Sequence, residues 1–132
     1  MAKHILKLTD KKVAVKVNGA DATETITLGV DCKLEAETLG ETQSVSILSI
    51  TWMGATGAYA TITRGTSTVP IAIVQGECAT TIDFAGSEFS ESVTPTEDIK
   101  IVTSGDMQVY LLLRKDAGYS TADAQQYTTL PY

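Results

Sequence analysis

The chain reads as all-β: a single, mostly antiparallel β-sandwich or barrel of about 8–10 short strands, followed by an extended C-terminal arm. Three observations predict it. Apolar and polar residues alternate along nearly every stretch, the period of a pleated strand with one face in water. Thr and Val are frequent in these stretches, as half-buried pleated surfaces favour. Turn residues recur at roughly 8–12-residue spacing, the interval of sandwiches and barrels. No internal repeat or linker divides the chain, so the sandwich is expected over residues 1–116 and the arm over 117–132.

HILKL (His4 to Leu8) is a short strand. KVAVKV follows, with Val13, Val15 and Val17 on one face and Ala14 and Lys16 on the other. Asn18-Gly19 then predicts a type I′ hairpin, because that turn needs positive φ at both central residues. TETITL (Thr23 to Leu28) would be the returning partner. VDCKLEAETLGE has helix-forming residues at its centre, but it is short and Gly40 ends it; it reads as strand and loop. SVSILSITWM (Ser44 to Met53) is the clearest long strand. Strict alternation puts Leu48, Ile50 and Trp52 on one face and Val45, Ile47, Ser49 and Thr51 on the other. Trp52 is the large residue expected to fill the core between sheets. GATG turns the chain into AYATITRG, another strand. TVPIAIV contains Pro70, which lacks an N–H and suits an edge or a bulge. ATTIDF continues the series, and the polar loop AGSEFSESVTPTED interrupts it. DIKIVT and MQVYLLL are expected to pair as a hairpin across SGD.

The length of 132 residues fits one domain with one core, and a hydrophobic fraction of 43% is ordinary for a soluble globular chain. No apolar run approaches the roughly 18 residues of a membrane helix, so no membrane partner is expected. The start, MAKHILKLTDKK, lacks the apolar stretch of a signal peptide, which suggests residence in a cytosol or in a particle assembled there. The formal net charge of −6 argues against bulk nucleic-acid binding, where a basic surface supplies most of the affinity. That charge is unevenly spread. Lys3, Lys7, Lys11, Lys12 and Lys16 stand against only Asp10, whereas Asp83 to Asp98 is strongly acidic. Segregation of this kind suits head-to-tail docking between copies; it equally describes two solvated faces.

No set of residues announces chemistry. His4 is the only histidine, and a Ser/His/Asp or Cys/His site needs an oriented one. Cys32 and Cys78 belong to no CxxC or Cys/His cluster, and both read as small buried hydrophobes. The acids Glu35, Glu37, Asp83, Glu88, Glu91, Glu97 and Asp98 show no spacing that selects a catalytic pair. The acidic loop lacks the D-x-D-x-D pattern of a calcium loop, and GATGA and RGTST lack the lysine of a phosphate loop. No catalytic residue, metal site or cofactor is therefore expected. Tyr59 and Tyr110 lie on strands and would stack on a sugar if they face outward; core or cross-strand packing is the plainer reading.

The last stretch holds Tyr119, Tyr127, Leu130, Pro131 and Tyr132 without helix or strand period. A merely solvating tail is poor in aromatics, and tyrosine is enriched where proteins meet. An arm reaching onto a neighbouring subunit is the simplest use; folding back on its own domain is the alternative.

MAKHILKLTDKKVAVKV, SVSILSITWM, the turn into TITRG and the closing VYLLLRKDAGY resemble small virion structural proteins of tailed bacteriophages. The resemblance is to a type and runs along most of the chain. It implies a β-rich, non-enzymatic protein at the capsid surface of a virion assembled in the host cytoplasm. Such a protein binds between major capsid subunits and cements the shell. The implied partners are the major capsid protein and copies of the chain itself, with a trimer suited to three-fold positions. Lys3, Lys7, Lys11 and Lys12 together with Tyr119, Tyr127, Leu130, Pro131 and Tyr132 would be the contact residues. A neck, tail or fibre component and a carbohydrate-binding sandwich are the competing expectations.

Overall fold

The computed structural model describes residues 2–66, 70–84 and 96–121. It is all-β, with two antiparallel sheets facing each other as a β-sandwich; the barrel is not closed. The described strands are β1 (Ala2–Leu8), β2 (Lys12–Ala20), β3 (Thr23–Ile26), β4 (Glu37–Gly54), β5 (Tyr59–Arg64), β6 (Ala72–Gln75), β7 (Thr80–Asp83), β8 (Ile99–Ser104) and β9 (Asp106–Thr121). Sheet A has the order β1-β2-β9-β4-β7, and sheet B has the order β3-β8-β5-β6.

The core lies between the sheets. Sheet A contributes Val13, Val15 and Val17 from β2, Val45, Ile47, Ile50 and Trp52 from β4, and Met107, Val109, Leu111 and Leu113 from β9. Sheet B answers with Ile26, Ala60, Ile62, Val74, Ile99 and Ile101. Burying each large aliphatic side chain stabilises the fold by about 1.5–3 kcal/mol, so this double row is the main force holding the sheets together. Trp52 fills the expected place between the sheets, and its indole Nε1 donates to the Gln75 carbonyl oxygen at 2.9 Å.

Strict alternation fails inside β4. Ile47 pairs with Leu113, but Ser49 pairs with Leu112, so Leu48 is an extra residue in the ladder. A bulge of this kind resets the side-chain phase. Val45 and Ile47 therefore face the same core as Ile50 and Trp52, not the opposite side.

Two predicted hairpins do not form. Asn18 and Gly19 continue β2, pairing with Gln108 and Met107 of β9. The chain turns at Asp21 instead (φ 48°), and β3 enters sheet B beside β8. β8 and β9 likewise part at Gly105 (φ 76°) and join different sheets. In both places the chain crosses the sandwich, because the inward faces of the two strands must meet each other across the core. Pro70 lies before β6, an edge strand, and takes no ladder position.

β9 also runs past the boundary expected at residue 116. Leu39, Thr38 and Glu37 pair with Tyr119, Ser120 and Thr121. The first residues of the expected arm are thus part of sheet A. Gly118 makes this possible: at φ 88° it passes β4 so closely that a Cβ would collide with the Thr42 carbonyl and stand 2.6 Å from Gln43 Cα. Cys32 is fully buried as expected, whereas Cys78 is exposed in a 3-10 turn, Gly76–Cys78; both thiols are free.

Candidate interaction surface

Residues directly opposite on antiparallel strands share a face, so the register of sheet A lays out its outer surface in rows. One row runs His4, Lys16, Tyr110, Thr51 and Thr81 across the five strands. A second runs Lys7, Ala14, Leu112, Ser49 and Asp83. Lys12, Arg114 and Ser46 form a third. The cations gather on the β1–β2–β9 side. Tyr110 lies beside one of them, with the Lys16 ammonium 5.7 Å from its ring centre. Arg114 Nε donates to Asp116 at 2.7 Å, which partly offsets its charge. Thr9 shapes the β1–β2 turn: its hydroxyl accepts from the backbone N–H of Lys11 and Lys12, and both lysines stay exposed.

The predicted contact lysines divide by position. Lys7, Lys11 and Lys12 are exposed on this surface and its turn. Lys3 is not available in the same way. It faces inward at the edge of β1, donates to the Thr25 carbonyl at 2.9 Å, and pairs with Asp31 at 2.8 Å and Glu24 at 3.7 Å. It ties β1 of sheet A to β3 of sheet B. His4 is exposed on the same edge strand, as a surface histidine.

Tyr119 is also committed inside the chain. Its hydroxyl donates to the Leu28 carbonyl at 2.6 Å, and its ring lies 4.4 Å from the Lys115 ammonium. Lys115 and Glu37 form an ion pair in which each side chain is 1% exposed. The ammonium also donates to the Thr9 carbonyl at 3.0 Å, and the Glu37 carboxylate accepts from Leu34 N–H at 2.7 Å. These bonds satisfy a charge pair that an apolar interior would otherwise reject. Beside it, burial pushes the Cys32 thiol up to about 12, and the nearby Asp31 charge adds to the rise. Burial likewise raises the Tyr119 phenol, with Cys32 adding to it. The cluster packs the end of β9 against the β3–β4 connection; it keeps its thiol protonated and unreactive. Tyr127, Leu130, Pro131 and Tyr132 lie outside the described residues.

Sequence reading missed Lys115 although a signal was present. It continues the inward series Met107, Val109, Leu111, Leu113, and a lysine in phase with a core must find a buried partner. Nothing local to Glu37 marks it as that partner. Of the two candidate stacking residues, Tyr110 faces outward on sheet A beside Lys16, and Tyr59 is 45% exposed on sheet B. Tyr59 borders an open hollow of about 460 Å³ with Thr61, Lys100, Val102 and Ser104. Among the described residues no three His, Cys, Asp or Glu side chains are placed to hold a metal ion. Comparison with protein-family models, with curated proteins and with solved structures gives no match.

Proposed function

We propose that the chain is a non-enzymatic virion structural protein, a decoration or cement protein that docks on the outer shell and stabilises contacts between major capsid subunits. The observation that carries this reading is the cationic outer face of sheet A, where Lys7, Lys12, Lys16 and Arg114 share one side of the sheet and the Lys16 ammonium lies over the Tyr110 ring. Aromatic residues flanked by long cationic side chains suit protein contacts, where tyrosine supplies area and the charges steer and register the encounter. Repetition over many copies then sums modest contacts by multivalency. The resemblance to small phage virion proteins points the same way, and a neck, tail or fibre position would use the same surface.

Co-sedimentation with purified, undecorated shells of tailed phages tests the reading. Retention that is lost in Lys12→Glu/Tyr110→Ala supports it; no retention on any shell counts against it. A carbohydrate-binding role is the second reading, favoured by Tyr59 beside its open hollow. It requires that Tyr59→Ala abolish retention on a glycan array without changing the fold.

A further inference from the structure

The outer face of sheet B points away from the cationic face of sheet A, because the core lies between the two sheets. Ala60 and Ile62 of β5 and Ile99 and Ile101 of β8 face that core. Alternation then turns Tyr59, Thr61 and Thr63 outward on β5, and Lys100, Val102 and Ser104 outward on β8. The register sets them in three rows: Tyr59 beside Ser104, Thr61 beside Val102, and Thr63 beside Lys100. All six border the open hollow of about 460 Å³.

Three features of the hollow call for a ligand. Thr63 is 8% exposed, and its hydroxyl has no hydrogen-bond partner. A buried hydroxyl left unpaired costs the fold free energy, whereas valine of nearly the same shape would not. Tyr59 and Val102 are both exposed, so an aromatic ring and an apolar floor stand open to solvent. Lys100 is the one charged side chain on the outward face of the strands of sheet B, and it has no ion-pair partner among the described residues. From these features we infer that the hollow binds a short oligosaccharide that carries a carboxylate. The inference deepens the carbohydrate reading, on which it rests, by naming the class of glycan.

Each feature meets one part of such a ligand. The Tyr59 ring packs against the apolar C–H face of a sugar. The hydroxyls of Thr61, Thr63 and Ser104 both donate and accept, as sugar hydroxyls require. The Lys100 ammonium pairs with the carboxylate. Tyr59 and the Lys100 row lie four residues apart along β5, about 13 Å of strand, which is longer than a single sugar ring. An extended peptide is disfavoured here. β5 pairs with β8 on one side and β6 on the other, so it has no free edge for strand addition. Because the two outer faces are opposed, a chain docked through sheet A would still present this hollow outward.

The test applies the full chain to an array of uronate- and sialate-containing oligosaccharides, each beside its carboxyl-reduced counterpart. The expected result is retention on acidic glycans that falls on the reduced forms. Lys100→Gln should erase that difference, and Tyr59→Ala should abolish retention on both. Thr63→Val should weaken binding about tenfold, the loss of one well-placed hydrogen bond, while the unfolding midpoint stays the same or rises. Equal retention on acidic and reduced glycans overturns the inference and leaves the carbohydrate reading standing. Retention that survives both Tyr59→Ala and Lys100→Gln places the sugar elsewhere and overturns the assigned site. No retention on any glycan overturns the inference and the carbohydrate reading together, while shell docking still answers to co-sedimentation.

Discussion

At the scale of single residues, environment separates groups that look alike in the sequence. Cys32 and Cys78 are both isolated cysteines, yet one is fully buried and the other exposed. Native protein near neutral pH should therefore consume one equivalent of a thiol reagent, and denatured protein two; two equivalents in the folded state would mean that Cys32 is accessible. The raised Cys32 value also sets a pH dependence. The folded chain keeps the proton up to about 12, whereas an ordinary thiol loses it near 9.0. Between those values the unfolded state releases a proton that the folded state retains, so stability present below pH 9 falls as pH rises through that window. The raised Tyr119 phenol acts with the same sign at higher pH. Urea midpoints should fall as pH rises from about 9 toward 12, and less steeply in Cys32→Ala. The Lys115–Glu37 pair gives a separate test. Lys115→Met leaves a buried carboxylate alone and should cost about 3–5 kcal/mol, whereas Lys115→Met/Glu37→Leu should recover most of that loss. Additive single and double losses in urea unfolding would show that the two groups do not act as a pair.

At the scale of strands, the end of β9 is the informative element. Polar residues Ser120 and Thr121 and the glycine before Tyr119 resemble a tail, but their partners Glu37 to Leu39 lie some eighty positions earlier. No local pattern could show that pairing. A chain ending at Thr121 keeps every rung of this pairing and is the reference for a shorter one. One ending at Asp116 loses the Tyr119 bond and the last ladder rungs, and should be less stable by several kcal/mol, roughly 1 kcal/mol for each hydrogen bond beyond the lost packing. Gly118→Ala should cost about 1–3 kcal/mol through collision with β4 and strain at positive φ. Equal midpoints for the two truncations would place the end of the fold at residue 116 after all. Strand existence was legible from period two, as in β2, β5, β8 and most of β4. Pairing was not. Asn18-Gly19 carries a strong hairpin signal, yet Gly19 has Met107 as its ladder partner, and that tertiary pairing outweighs the local preference. The Leu48 bulge was equally hidden, because one extra residue reverses every inference about facing downstream of it. For the surface, the N-terminal lysines were visible as a cluster, but Lys3 turned inward and Arg114 joined from a distant strand.

At the scale of the whole molecule, the connections explain both the fold's unity and the failure of hairpin reading. Of the eight connections between successive described strands, β1 to β2 and β5 to β6 stay within one sheet, and the other six join strands of different sheets. Neither sheet is therefore a contiguous piece of sequence, and neither can form its pairings without threading the other. Polar bonds reinforce the interdependence. Trp52 on sheet A donates to Gln75 on sheet B, and Arg64 on sheet B donates to Val45 on sheet A. Lys3 and Tyr119 tie two further points of sheet A to Thr25 and Leu28 at and after β3. The two sheets should accordingly unfold as one cooperative unit. Trp52 is the sole tryptophan and lies at the junction, so its fluorescence reports the docking of the sheets while far-ultraviolet circular dichroism reports the strands. The two probes should give coincident urea transitions. Fluorescence changing at lower urea than circular dichroism would mean that a paired sheet survives undocking, and the crossed connections would then not enforce the single transition argued from them. Coincidence that persists in Trp52→Phe, followed by tyrosine fluorescence, would show that the crossings and the apolar core hold the sheets together without the indole bond.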